Sequence, residues 1–356
     1  MTGMPSSNTT KTYGTNVNLS STAPSLTGWT FGGWNTQADG NGTTYAAGAA
    51  INNDTLYPGS NGGNVQLYAK WTQNTYTIAY NGNGNTGGST ASQTPTYEQS
   101  IALRQNDFVR QYVVTFAPNG GTVSPTSSTA TYTFKEWNTE ADGTGTAKQP
   151  GNTVSKLLTS GTYTYYAIWN SGSVTLPTPT RTGYTFAGWY NGSTQESSPF
   201  TPTADTTLTA HWSVHTYSFV YNANTPDGAS HAVEGVPGNT VKTYDANVNL
   251  SSTVPTLTGW TFKGWNTAAD GSGTTLAAGA TINNDNLYPG SNGGNVQLYA
   301  KWEANTYTIA YAGGGATGGS TSSQTATYDT SIALRQNGFS RVYTVEYDAA
   351  GGNVTT

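Results

Sequence analysis

The chain contains a near-copy of part of itself. From residue 12 it reads TYGTNVNLSSTAPSLTGWTFGGWNT, and from residue 243 it reads TYDANVNLSSTVPTLTGWTFKGWNT. The offset is 231 residues throughout, so Trp29 maps to Trp260, Trp34 to Trp265 and Trp71 to Trp302. The strings INND, LYPGSNGGNVQLYAKW, NTYTIAY and SIALRQN recur at the same offset. Such a repeat in 356 residues points to a row of small modules and away from one large active-site fold.

A smaller unit lies inside the large one. It opens with an aromatic strand and a Gly-rich turn: YTIAY at 76–80, YVVTF at 112–116, YSFVY at 217–221, YTIAY at 307–311 and YTVEY at 343–347. Its middle is a strand ending at tryptophan: GWTFGGW at 28–34, YTFKEW at 132–137, GYTFAGW at 183–189 and GWTFKGW at 259–265. It closes with LYAKW at 67–71, YYAIW at 165–169, LTAHW at 208–212 and LYAKW at 298–302. The last two tryptophans are 37, 32, 23 and 37 residues apart, so constant strands flank a surface loop that tolerates length change.

Period-2 alternation with aromatic and β-branched residues reads as half-buried antiparallel strand. Trp29 and Phe31 share one face; Tyr217, Phe219 and Tyr221 share another. Large aromatics fill the core of a unit too small to bury many side chains. The glycine before the final tryptophan (Gly33, Gly188, Gly264) marks a bulge or a close crossing, although Glu136 stands there in the second unit. Residues 100–106 and 331–337 could form one or two helical turns with Ser100 or Ser331 as cap. The expected fold class is mainly β, with three to five strands and at most a short helix per module, in an elongated row.

YxVxFxxNGG, then GYTFxGWxT, then LYAxW resembles the Listeria–Bacteroides repeat, the B-repeat of internalin-type bacterial surface proteins. The match is seen at residues 112–121, 183–189 and 67–71. The resemblance implies small β-grasp-like, ubiquitin-like modules in tandem. It also implies a secreted or cell wall-associated setting, where such modules serve as stalks or weak binding units of adhesins. It carries no catalytic residues. The expected organisation is a module lacking its first strand (1–73), two modules within 75–213, a complete module (214–303) and the opening part of a truncated one (304–356). The middle pair reads in two ways. Residues 75–110 join 131–170 while 111–130 join 171–213, a nested arrangement; or two degenerate half-modules follow in sequence.

Composition bounds the chemistry. Charged residues are only 9 % and the net charge is −5 with 13 Lys and Arg, which excludes a nucleic-acid groove as partner. No apolar run approaches the ~20 residues of a membrane span. Cys is absent, which removes disulfides and thiolate metal sites. The N-terminal residues lack the basic and apolar regions of a signal peptide, so the chain reads as an internal piece of a longer extracellular protein. A monomer is expected, with a host or neighbouring-cell protein or glycan as the candidate partner.

Candidate sites are few. The turns around Asp39, Asp142 and Asp270 are the weak calcium candidates, against the plainer reading of carboxylates capping their own turns. Asn52, Asn53 and Asp54 could add oxygens only if their loop folds back. The long loops place Tyr57 with Asn61, and Tyr288 with Asn292, among glycines and amides. That composition suits sugar or peptide contact, unless each tyrosine anchors its loop to the sheet. Lys70 and Lys301 in closing strands raise the thought of a Lys–Asn crosslink, against ordinary edge lysines. His211, His215 and His231 lack metal-ligand spacing, and no nucleophile has a base partner. No enzyme activity and no cofactor are expected.

Overall fold

The computed structural model describes residues 1–52, 54–348 and 350–351; Asn53, named in the sequence reading, lies outside them. The described residues are strands, turns and connections, with no helix. Two compact units are formed. One comprises Met1–Ala117, Ser124–Pro177 and Trp189–Thr209; the other comprises Pro118–Val123, Thr178–Gly188 and Ala210–Thr356.

The clearest repeat lies in the second unit. Its sheet runs in the order Thr240–Thr243, Thr216–Asn222, Gly294–Ala304, Trp260–Asn266, Thr275–Leu276. The opening strand Thr216–Asn222 runs parallel to the closing strand Gly294–Ala304, with Tyr217 opposite Gly294 and Asn222 opposite Tyr299. All other neighbours are antiparallel. A separate two-stranded pair, Val248–Asn249 with Thr281–Ile282, covers the core. That core contains Tyr217, Phe219, Tyr221, Leu250, Trp265, Ile282 and Leu298. The three aromatics of YSFVY are buried together and Ser218 and Val220 are not, as strand alternation requires.

The middle strand departs from simple alternation. Its pairing slips between Phe262 and Gly264, and again between Phe31 and Gly33. The extra residue turns Trp265 toward Phe262, so the two rings meet edge to face at 5.1 Å instead of pointing to opposite sides. Gly264 has φ +127°, and a Cβ there would stand 2.8 Å from the Leu276 carbonyl oxygen. Glu136 needs no such freedom: the slip occurs between Phe134 and Glu136, but Glu136 is not among the left-handed residues.

In the first unit, Thr44–Tyr45, Trp29–Asn35 and Tyr68–Gln73 form a three-stranded sheet. A second sheet places Phe108–Ala117, Ser127–Asn138, Thr162–Asn170 and Thr77–Asn81 side by side. Here Ser127–Asn138 is shared. Residues 127–132 pair with residues 110–115, and residues 133–138 pair with the closing strand Thr162–Asn170. Thr77–Asn81 runs parallel to the start of Thr162–Asn170, and residues 114–117 run parallel to residues 206–209.

Residues 100–106 form no helix. Ile101–Ala102 is a strand paired with Thr153–Val154, and the Arg104 amide donates to the Tyr80 hydroxyl at 2.9 Å. These cross-chain bonds satisfy the backbone groups that a single helical turn would leave open. The copy at 331–337 is likewise without helix.

Candidate functional site: the joints between repeats

Among the described residues one arrangement occurs three times, and each instance lies wholly within one compact unit. A middle strand begins at Gly28, Gly183 or Gly259, and each of these carbonyls accepts an amide from a residue just after the closing strand. The donors are Asn74 at 2.9 Å, His215 at 2.8 Å and Asn305 at 2.8 Å. Those residues in turn accept amides from tyrosines further along the chain: Tyr97 to Asn74 at 2.8 Å, Tyr244 to His215 at 2.9 Å and Tyr328 to Asn305 at 2.8 Å. A threonine two residues after the glycine holds the same linker side chain. Thr30 bonds Asn74 and Thr261 bonds Asn305, each at 2.5 Å, and Thr185 bonds His215 Nε2 at 2.7 Å.

The tyrosine rings explain the glycines. A Cβ on Gly28, Gly183 or Gly259 would stand 2.1 to 2.3 Å from the ring of Tyr97, Tyr244 or Tyr328. Only glycine lets the ring lie flat on the backbone at this left-handed turn. The residue after two of these tyrosines adds a further bond back: Asp245 accepts the Tyr184 hydroxyl at 2.9 Å, and Asp329 accepts the Trp260 indole N–H at 3.3 Å. Each joint therefore has two backbone bonds, one side-chain bond and a stacked ring. The TGW and TGY motifs were visible in the sequence; their partner tyrosines were not, because the pairing joins segments far apart in the chain.

The calcium candidates form turns that close on themselves. Asp39 accepts the Asn41 amide at 3.0 Å, Asp142 the Thr144 amide at 2.9 Å and Asp270 the Ser272 amide at 2.9 Å. The Asn41 backbone amide holds the Asp39 carboxyl below its usual value. The hydroxyls of Thr144 and Ser272 do the same for Asp142 and Asp270. Among the described residues no group of three or more His, Asp or Glu could hold a metal ion. A buried asparagine, which the sequence reading passed over, organises each turn. Asn266 is 1 % exposed, and its Nδ2 donates to Gly271 O, Gly273 O and Thr275 Oγ1 while its Oδ1 accepts the Ala268 amide. Asn266→Ala should destabilise its repeat by about 3 kcal/mol, since four hydrogen bonds of one buried amide are lost together. Faster amide exchange along Gly294–Ala304 is the measurement; unchanged exchange would refute this role.

The loop tyrosines differ. Tyr288 is half-buried among Tyr217, Tyr244 and His215, whose Nδ1 lies 2.5 Å from the Tyr288 hydroxyl. Tyr57 is 48 % exposed and meets Tyr13 edge to face at 5.1 Å. Asn292 accepts the Thr216 amide at 2.9 Å, and Asn61 is exposed. Lys70 and Lys301 each donate to a turn carbonyl, Gly40 O and Gly271 O, at 3.1 Å.

A different lysine is the buried one. Lys242 is 1 % exposed and its ammonium lies 2.7 Å from Asp285 Oδ1. Asp285 also accepts the Tyr217 hydroxyl at 3.0 Å and the Asp245 amide at 2.9 Å. Burial opposes ionisation of Asp285, but these three donors outweigh it and hold the carboxyl below its usual value. The copy, Lys11 with Asp54, is closed at 2.5 Å but is 20 % and 24 % exposed. Both pairs obey the 231-residue offset, which was the available signal.

The sequence model of the Listeria-Bacteroides repeat domain matches residues 2–70, 151–211 and 217–301, more than half of the chain. The chain belongs to the Listeria-Bacteroides repeat family. Relatives include two proteins of Evansella cellulosilytica. One, named "Putative Gly-rich membrane protein", is 27 % identical over 87 % of this chain and 34 % of its own length. The other, named "Putative membrane protein", is 30 % identical over 69 % of this chain and 36 % of its own length. The chain thus spans about a third of the curated relatives it matches. No solved structure matches it. Among the described residues no helix is long and apolar enough to cross a membrane. Of the three glycine–tyrosine contacts described above, that of Gly183 with Tyr244 links two matched Listeria-Bacteroides segments, 151–211 and 217–301.

Proposed function

We propose that this chain is a non-catalytic structural segment of a cell-surface protein, in which β-grasp-like modules are held in fixed relation by their joints. The threefold recurrence of the glycine–tyrosine joint carries the reading. A flexible linker has no use for a glycine shaped to one ring of the next repeat, or for paired backbone bonds on either side of it. Envelope association draws support from the family and from the names of the two relatives. The modules proposed are 1–73, a nested pair within 75–213, 214–303 and the opening part at 304–356. The parallel pairing of residues 77–81 with 162–166, and of residues 114–117 with 206–209, favours nesting over half-modules in sequence.

Double electron–electron resonance tests the joint directly. The chain has no cysteine, so Asn295→Cys and Ser323→Cys introduce the only labels, at two exposed positions on either side of the Gly259–Tyr328 joint. One narrow distance distribution is expected. A distribution as broad as that of a free linker would sink the structural reading.

A further inference from the structure

The middle joint carries groups that the other two lack. An open trough of about 640 Å³ lies in the second unit, lined by Gly120, Gly121, Thr122, Arg181, Tyr184, Tyr244 and Asp245, among others. Arg181 stands at the position that Leu26 and Leu257 hold in the other two joints. Its guanidinium lies 3.7 Å over the Tyr184 ring and gives one N–H to Asn119 O at 3.2 Å. Guanidinium has five N–H donors, so most of its capacity stays open. Asp245, in left-handed backbone at φ +59°, spends one oxygen on the Tyr184 hydroxyl and lines the trough. Among the described residues no ion pair joins Arg181 to Asp245.

The trough thus presents planar donors, a carboxylate acceptor, threonine hydroxyls and two tyrosines, with its opposite charges uncancelled by contact. A lone anion would meet Asp245 and a lone cation would meet Arg181. Sugar hydroxyls both donate and accept, so one sugar can meet the guanidinium and the carboxylate together. We propose that this trough binds a neutral oligosaccharide. Its open, mostly polar form suits a chain passing through, and its size falls in the usual range for ligand sites.

The repeats themselves provide the control variants. Arg181→Leu installs the residue found at the corresponding site of the other joints, and Asp245→Gly installs the residue of the first copy, Gly14. The full chain and both variants are titrated with cellohexaose, chitohexaose, maltohexaose and xylohexaose by saturation-transfer NMR and calorimetry. Saturable binding of at least one hexasaccharide is expected, weakened at least tenfold in each variant, with amide exchange along Gly294–Ala304 unchanged. Absence of saturable binding to all four overturns the proposal, and so does binding that both variants retain. Either result leaves the resonance test of the joint untouched, because that test reads rigidity at a different joint.

Discussion

Lys242→Ala is expected to destabilise the repeat 214–303 by roughly 3–5 kcal/mol, because Asp285 is left buried without its counter-charge. The same change in the copy, Lys11→Ala, should cost far less. Its pair is 20 % and 24 % exposed, so water takes over the solvation of Asp54. One chain therefore holds both the buried and the wet version of a single interaction. The core around Tyr76, Ile78 and Trp137 shows a third version. Pro95 takes the place opposite Tyr76 that Lys242 holds opposite Tyr217, and Leu157 stands three residues after Val154 as Asp285 stands three after Ile282. Apolar residues there replace the ion pair, and the Tyr76 hydroxyl is buried without a partner. The double variant Lys242→Met, Asp285→Leu should then recover most of the loss, since a well-packed apolar pair often matches a buried ion pair. Amide exchange along Gly294–Ala304 reports this repeat alone, where a whole-chain melt would mix several units. A double variant no more stable than Lys242→Ala would refute the account. The pH dependence has a defined sign. The Asp285 carboxyl is depressed in the folded state, so its contribution is complete above the usual value of 3.8 and is lost as pH falls through the lower folded value.

Much of the architecture was written in local patterns. Alternation in YSFVY, the aromatic middle strand and the repeat offset all report on a single strand or a direct comparison of strings, and the sheet order respects them. What escaped the sequence depends on who meets whom across repeats. Gly259 reads as one more glycine of a turn until Tyr328 is placed on it. Asn266 reads as a polar strand end until the turn at 268–275 wraps around its amide. Lys242, in the strand Thr240–Thr243, carries no local sign of burial. Its burial follows from Asp285, 43 residues on, entering the same core beside Tyr217. The seven-residue SIALRQN segment misled for the opposite reason. It has helical residue preferences, and a strand pairing with Thr153–Val154 overrides them.

Gly259→Ala separates the joint from the repeats it connects. The backbone at Gly259 has φ +78°, which alone costs an alanine about 1–2 kcal/mol. The new methyl would also stand 2.1 Å from Tyr328 Cδ1, closer than any carbon pair tolerates, so the ring must leave. Its departure draws away the Tyr328 amide that bonds Asn305 O, and the Trp260 indole loses its neighbour Asp329. Exchange of the Asn305 and Tyr328 amides should rise at least tenfold, and the label distance across this joint should broaden. The core around Trp265 lies away from the methyl, so amides along Gly294–Ala304 should keep their protection. Tyr328→Ala removes the clash but also the stacked ring, and should broaden the same distance without the backbone strain. Adding Tyr328→Ala to Gly259→Ala should therefore not restore a narrow distance. If Gly259→Ala instead opened the Trp265 core and the joint together, the glycine would be serving the fold of its own repeat and not its connection to the next.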